Sequence, residues 1–167
     1  MSTAGDLQVV TFSLDQEAFA VPVVLVREIL DYRDTCHIPN GPAFMLGLAD
    51  VRGLQVPTID LRLKLGLPRF TPTLTTRILV VDVPLPDRML TMGLVVDRVL
   101  DVKAIDSDRI EGAPDVGVGW QSAYIGGVIR HDDRFLVLID LPCIFSAGDA
   151  AMLQPFGRRA ANRAVAA

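Results

Sequence analysis

The chain alternates short apolar runs with brief polar breaks, a rhythm that predicts strands and turns rather than long helices. Residues 7–14 hold Val9, Val10, Thr11 and Phe12, the β-branched and aromatic types that suit a pleated, half-buried surface. Asp15-Gln16-Glu17 breaks this run and residues 18–21 resume it, so the chain is expected to open with a hairpin. Pro22 fits a first helical turn, and Val23, Val26, Ile29 and Leu30 recur at helical spacing, which predicts a short helix over 23–30. Arg27 and Glu28 then fall on another face. Pro39-Asn40-Gly41-Pro42 is punctuation; Asn40 is placed to cap a single helical turn over 43–46, closed by Gly47.

Residues 47–62 combine the strongest local signals. An apolar run reaches Arg52-Gly53, a tight polar break follows, and a second run ends at Asp60: a hairpin flowing into a helix start. Asp60 can cap the segment 61–65 and Gly66 can end it with φ > 0. Pro57 suggests an edge position for the second strand, because it cannot donate to a ladder. The same plan returns at Gly127–Asp140, with identical spacing and the same Ile-Asp-Leu ending, which predicts two similar subdomains.

The connector 68–76 is rich in Thr and Pro and is the expected crossing between them. Residues 77–83 and 89–96 are expected to pair around an exposed loop at 84–88. Residues 106–122 show little periodicity and are expected to form a long surface loop carrying Trp120, the only tryptophan. Residues 124–129 and 135–139 predict a last hairpin, and Asp140 a last capped turn. Residues 1–6 are expected to be disordered, 7–145 to form the domain, and 146–167 an Ala/Arg-rich tail. Many short strands with few helical turns indicate a mostly β protein built from small barrels.

Composition narrows the function. Of 167 residues, 50% are hydrophobic, yet no apolar run approaches the ~20 residues of a membrane-spanning helix. The N-terminus lacks a basic stretch followed by an apolar core, so a cytoplasmic protein with no membrane insertion is expected. A net charge of −4, with Lys64 and Lys103 the only lysines, argues against a nucleic-acid surface. Cys36 and Cys143 read as small buried hydrophobes in a reducing compartment.

Catalytic chemistry finds few residues. Cys36 and His37 are adjacent, and neighbours in a strand point to opposite faces, so they make a poor metal or nucleophile–base pair. His131 lies in a polar turn. There is no Cys-x-x-Cys, no His-Glu-x-x-His, no phosphate-cradling glycine loop and no Gly-x-Ser-x-Gly elbow. No metal, cofactor or enzymatic activity is expected. Asp60 and Asp140 read as caps and Asp132-Asp133 as a turn. Glu28 differs: it borders an apolar face, where Arg52 would be a fitting partner that fixes the hairpin tip.

The ordered set Val26-Arg27-Glu28-Ile29, Ile38-Pro39-Asn40, Gly47-Leu48, Val51-Arg52-Gly53, Val56-Pro57-Thr58-Ile59-Asp60-Leu61-Arg62, Gly93-Leu94-Val95-Val96-Asp97 and Tyr124-Ile125-Gly126-Gly127 resembles the CheW-type chemotaxis coupling proteins over residues 7–145. The resemblance implies two five-stranded β-barrel subdomains around a shared hydrophobic core. It implies a non-catalytic adaptor, recruited to membrane-associated arrays, that couples the cytoplasmic tips of transmembrane chemoreceptors to a CheA-type histidine kinase. Carried over by motif, Glu28 and Arg52 match an acidic–basic pair beside the receptor-binding groove, and Val26, Gly47 and Gly53 match positions lining it. Phe12, Phe19 and Val21, on the opening strands, are the candidates for the kinase-facing surface. Asp50, where Asn is usual, the 106–122 loop and the Ala/Arg tail depart from the pattern. They leave open a related non-flagellar pathway governing pili or surface sensing. A stand-alone kinase regulatory domain and a CheW–receiver fusion are both disfavoured, because no ATP-binding segment is read before Leu7 and no receiver after Phe145. A small-barrel binder of single-stranded nucleic acid would need a basic, aromatic-studded groove, which 6% aromatics do not supply.

Overall fold

The computed structural model describes residues 5–39, 41–86, 88–112, 124–131 and 133–144. It opens with the hairpin β1 (Asp6–Leu14) and β2 (Glu17–Pro22), turned at Asp15-Gln16 with Asp15 at φ 56°. A single 3-10 turn, Val23–Leu25, leads into β3 (Val26–Asp31). The hairpin β4 (Met45–Val51) and β5 (Leu54–Asp60) runs into the one-turn helix α1 (Leu61–Lys64). A third hairpin, β6 (Arg77–Leu85) and β7 (Arg88–Val96), is followed directly by β8 (Arg98–Asp106). A 3-10 turn, Ser107–Arg109, precedes the two-residue β9 (Ile110–Glu111). The hairpin β10 (Ile125–His131) and β11 (Arg134–Ile139) ends in the one-turn helix α2 (Leu141–Ile144).

These strands make two sheets, one ordered β3-β6-β7-β5-β4 and one ordered β8-β1-β2-β11-β10-β9. With β9 set aside, the two are wired alike. In each, an antiparallel hairpin lies parallel, through its second strand, to the second strand of another hairpin: β7 beside β5, and β2 beside β11. The irregularities repeat too, with a register shift between Met45 and Gly47 and another between Ile125 and Gly127. The repeated spacing in the sequence is therefore a repeat of sheet topology. The first sheet has the expected five strands; the second has six, because Ile110 and Glu111, inside the expected 106–122 loop, pair with Ile129 and Val128.

The core explains the apolar runs. Alternate residues of one strand feed different clusters, so both faces are buried and the run reads as continuous. On β6, Leu79, Val81 and Val83 enter the cluster shared by the sheets, while Ile78 and Val80 enter the interior of the five-stranded sheet. On β1, Val10, Phe12 and Leu14 join the shared cluster and Val9 the interior of the six-stranded one. Asp60 caps α1 as expected, accepting from the backbone N–H groups of Arg62 and Leu63.

Several sequence expectations are corrected. Residues 26–31 form a strand, not a helix: β3 pairs with β6, and exposure alternates along it with period two. Four of the residues from 23 to 29 (Val23, Val24, Val26, Ile29) are β-branched, and a partner strand outweighs a spacing that also fits a helix. Residues 43–44 turn, but Met45 and Leu46 already belong to β4; Asn40 lies outside the described residues. Pro57 sits in an internal strand. Opposite it, the N–H and C=O of Leu48 both bond Cys36, so they point away from β5, and the described β5–β7 pairing begins only at Thr58. Pro57 thus needs no N–H.

The connector 68–76 joins α1 to β6 without leaving its sheet; the chain changes sheet between β2 and β3 and between β7 and β8. Gly5 and Asp6, placed in a disordered terminus, are held: the Gly5 carbonyl accepts from the Ser107 N–H at 2.8 Å, and Asp6 pairs with Asp106. The tail 146–167 and Trp120 lie outside the described residues. Cys36 and Cys143 are exposed free thiols rather than core residues.

Candidate functional site

β3 and β4 are the two edges of the five-stranded sheet, and the chain closes the seam between them. Just beyond β3, the N–H of Cys36 donates to the Leu48 carbonyl, and the N–H of Leu48 donates to that of Cys36, both at 2.8 Å. Further along β4, Arg33 Nη1 donates to the Asp50 carbonyl at 3.2 Å. At the hairpin tip, Arg52 reaches across to Glu28 on β3. Its Nη2 donates to Oε1 at 3.1 Å and its Nε to Oε2 at 3.2 Å, the two-pronged geometry that favours arginine over lysine.

The tip is shaped for this reach. Arg52 (φ 53°) and Gly53 (φ 84°) are consecutive left-handed residues, as a two-residue hairpin turn requires. Asp50 Oδ1 accepts from the Gly53 N–H at 2.9 Å and pins the turn, a task an Asn would also perform. The pair differs in exposure, with side chains 82% accessible for Arg52 and 23% for Glu28. The hydrogen bond from Arg52 holds the Glu28 carboxyl below its ordinary range, against the opposing effect of partial burial; the charges of Arg27 and Arg33 add to it.

Beneath the ion pair lies a cavity of about 390 Å³, lined by Val51, Leu54, Val56 and Val80 with Arg27 and Thr91 on its wall. Val51, Val56 and Val80 belong to the interior cluster of this sheet, so the notch is the mouth of a hydrophobic core. Arg27 and Thr91 are both held by Asp82, at 3.5 Å and 2.6 Å. The notch offers an apolar floor, a fixed charge pair and a hydroxyl, a surface for an apolar helix face with a polar border.

The sequence-predicted site residues separate in space. Glu28 and Arg52 come together, and Gly53 completes their turn. Val26 turns away: a register shift between Val26 and Glu28 sends it to the shared core. Gly47 is buried well along β4 from the tip, where a Cβ would stand 2.2 Å from the Cys36 carbonyl oxygen. It permits closure of the seam and does not line the notch. Phe12, Phe19 and Val21 are all buried in the shared core, and the rings of Phe12 and Phe19 stack at 6.0 Å. Their side chains cannot form a contact surface, because β1 and β2 are covered where sequence alone showed only apolar residues. The notch floor is not read from the sequence; period-two reading of β3, β6, β7 and β5, adjacent in that order, places Glu28, Val80, Thr91 and Val56 on one face. Among the described residues, no group of three His, Cys, Asp or Glu stands together to hold a metal, and no helix is long and apolar enough to cross a membrane.

Two like-wired curled sheets around a common core, one with a charged clasp over an apolar notch at its seam, define a twin-sheet β scaffold domain. The family model described as the CheW-like domain matches residues 8–149, and the chain belongs to that family. It is 32% identical over 142 residues to the probable chemotaxis protein CheW of Rhizobium etli, covering 85% of this chain and 89% of the relative. It is 30% identical to the chemotaxis protein CheW of Klebsiella aerogenes, covering 85% and 83%. The crystal structure of the scaffolding protein TtCheW from Thermoanaerobacter tengcongensis superposes with a TM-score of 0.75 at 29% identity, over 86% of this chain and 90% of that one.

Proposed function

We propose that this protein is a non-catalytic adaptor that couples the cytoplasmic tips of transmembrane chemoreceptors to a CheA-type histidine kinase, working in the cytoplasm at receptor arrays. The observation that carries the reading is the Arg52–Glu28 clasp over the apolar notch. An amphipathic helix lays an apolar stripe into such a groove and sets its register by a polar contact at the rim. Relatives that bear the chemotaxis name, and a structural relative described as a scaffolding protein, support the same reading. Coupling then works as linkage: a receptor changes kinase output only through contacts that differ between its signalling states.

The test is co-purification of the protein with receptors and kinase of its own source, using the wild-type chain, Arg52→Ala and Glu28→Gln. Receptor capture is expected to fall in both variants while kinase capture and the thermal midpoint are kept. Wild-type protein that recovers neither partner removes the adaptor reading.

A further inference from the structure

A second cleft, of about 650 Å³, lies where the two sheets meet. Its base is a polar knot. Arg62 Nη1 reaches Asp15 at 2.7 Å and Asp97 at 2.6 Å, Arg62 Nε donates to the Pro68 carbonyl at 2.8 Å, and Asp97 Oδ2 also accepts from the Asp15 N–H. One wall is a self-bonded loop. The N–H of Thr73 donates to Thr76 Oγ1, and Thr75 Oγ1 donates to the Asp97 carbonyl, so the wall is pinned to the base.

Three exposed arginines line this cleft from three separate places: Arg69 after α1, Arg98 at the start of β8 and Arg134 at the start of β11. None has a side-chain partner among the described residues. The other described arginines, Arg109 apart, are engaged: Arg27 with Asp82, Arg33 with a carbonyl, Arg52 with Glu28, Arg62 in the knot, Arg77 with Asp31, Arg130 over the Phe135 ring, and Arg88 as well. In a chain of net charge −4, three of the four uncommitted guanidinium groups among the described residues therefore gather in one concavity. The carboxylates there do not answer them. Of the described carboxylates that line it, Asp15 and Asp97 are taken by Arg62, and only Glu17 is uncommitted.

A guanidinium presents a rigid fork that matches one carboxylate or one phosphoryl group. A single carboxylate satisfies one fork; three forks call for an anion with several charged groups. The concavity lies within the size range of small-molecule sites, and such sites favour junctions between structural units. We propose that this cleft binds a small anion bearing two or more phosphoryl groups, held by Arg69, Arg98 and Arg134 and bordered by the Thr71 hydroxyl. Because the three arginines come from both sheets, occupancy bridges them and raises the thermal midpoint.

The test is titration calorimetry and thermal unfolding of the full chain with inorganic triphosphate at low ionic strength, beside a glutamate-rich peptide. Saturable one-to-one binding of triphosphate is expected, weakened about tenfold or more in Arg69→Gln/Arg98→Gln/Arg134→Gln. Arg109→Gln, which removes a free arginine elsewhere, is expected to bind as the wild type does. The triple variant keeps its midpoint without ligand, since its side chains bond nothing in the described chain. Absence of saturable heat at millimolar triphosphate overturns the proposal, as does equal weakening in Arg109→Gln. Peptide binding through the three arginines without triphosphate binding would also overturn it, and would give the cleft to an acidic protein segment.

Discussion

Arg62 donates to Asp97 at 2.6 Å, and that contact ties α1 of the five-stranded sheet to the residue at which the chain crosses into the six-stranded one. Asp15, from the β1–β2 turn of the other sheet, is the second acceptor on the same nitrogen. Arg62 is mostly buried, with 11% of its side chain accessible, so its removal leaves two carboxylates facing each other without their cation. Arg62→Ala is expected to destabilise by about 1.5–3 kcal/mol, the range for losing hydrogen bonds to charged groups. Urea unfolding reads this directly. A double-mutant cycle with Asp97→Asn should show coupling, because two residues in one network are not additive.

Two glycines predicted to act alike should differ sharply. Gly47 has φ 147° and a site where a Cβ would meet the Cys36 carbonyl oxygen at 2.2 Å, whereas Gly53, at φ 84°, has nothing within 4 Å. Gly53→Ala is expected to cost about 1 kcal/mol, the left-handed penalty alone. Gly47→Ala must push two hydrogen-bonded backbones apart and is expected to cost well over about 2 kcal/mol. Thermal unfolding of the two variants side by side checks the order.

Phe12→Ala removes a fully buried ring stacked on Phe19 in the shared core. A loss of about 3–5 kcal/mol is expected, as for other buried aromatic truncations. Kinase capture should then fall only in parallel with the folded fraction. Capture lost from a fully folded Phe12→Ala protein would show that the ring is a contact residue after all.

Receptor capture should depend on pH through Glu28. Its carboxyl is held below the ordinary range by Arg52, so the clasp is fully present above the usual glutamate value of about 4.3 and is lost as pH falls through the lowered one. Capture is expected to be flat from neutral pH down to about 5 on this account. In Glu28→Gln it should be weak throughout, with no titration. A wild-type midpoint near pH 6.5, the ordinary histidine value, would point to another group.

The hairpin tip and the capped turn were legible because their causes are local. Arg52-Gly53 takes consecutive left-handed conformations that few residue pairs accept, and Asp60 reaches only the next turn of its own chain. The repeated Ile-Asp-Leu was legible for the same reason. Residues 23–31 were not. Their spacing suits a helix, and what makes β3 a strand is β6, which arrives only at Arg77. The clasp is half legible: chemistry pairs Glu28 with Arg52, but the spacing over 23–30 puts Glu28 on a helix where the structure has a strand.

Sequence alone determined the β character of the chain, its turns and caps, its twofold plan and its likeness to the CheW-like family. Those rest on preferences acting over a few residues, or on motifs kept in order. Only the tertiary structure decided that Phe12, Phe19 and Val21 are core, that Gly47 guards a seam, and that the sheets exchange chain beside Pro22 and Asp97. Each of those outcomes is set by a surface brought from tens of residues away, and an apolar residue carries no mark of which surface will cover it.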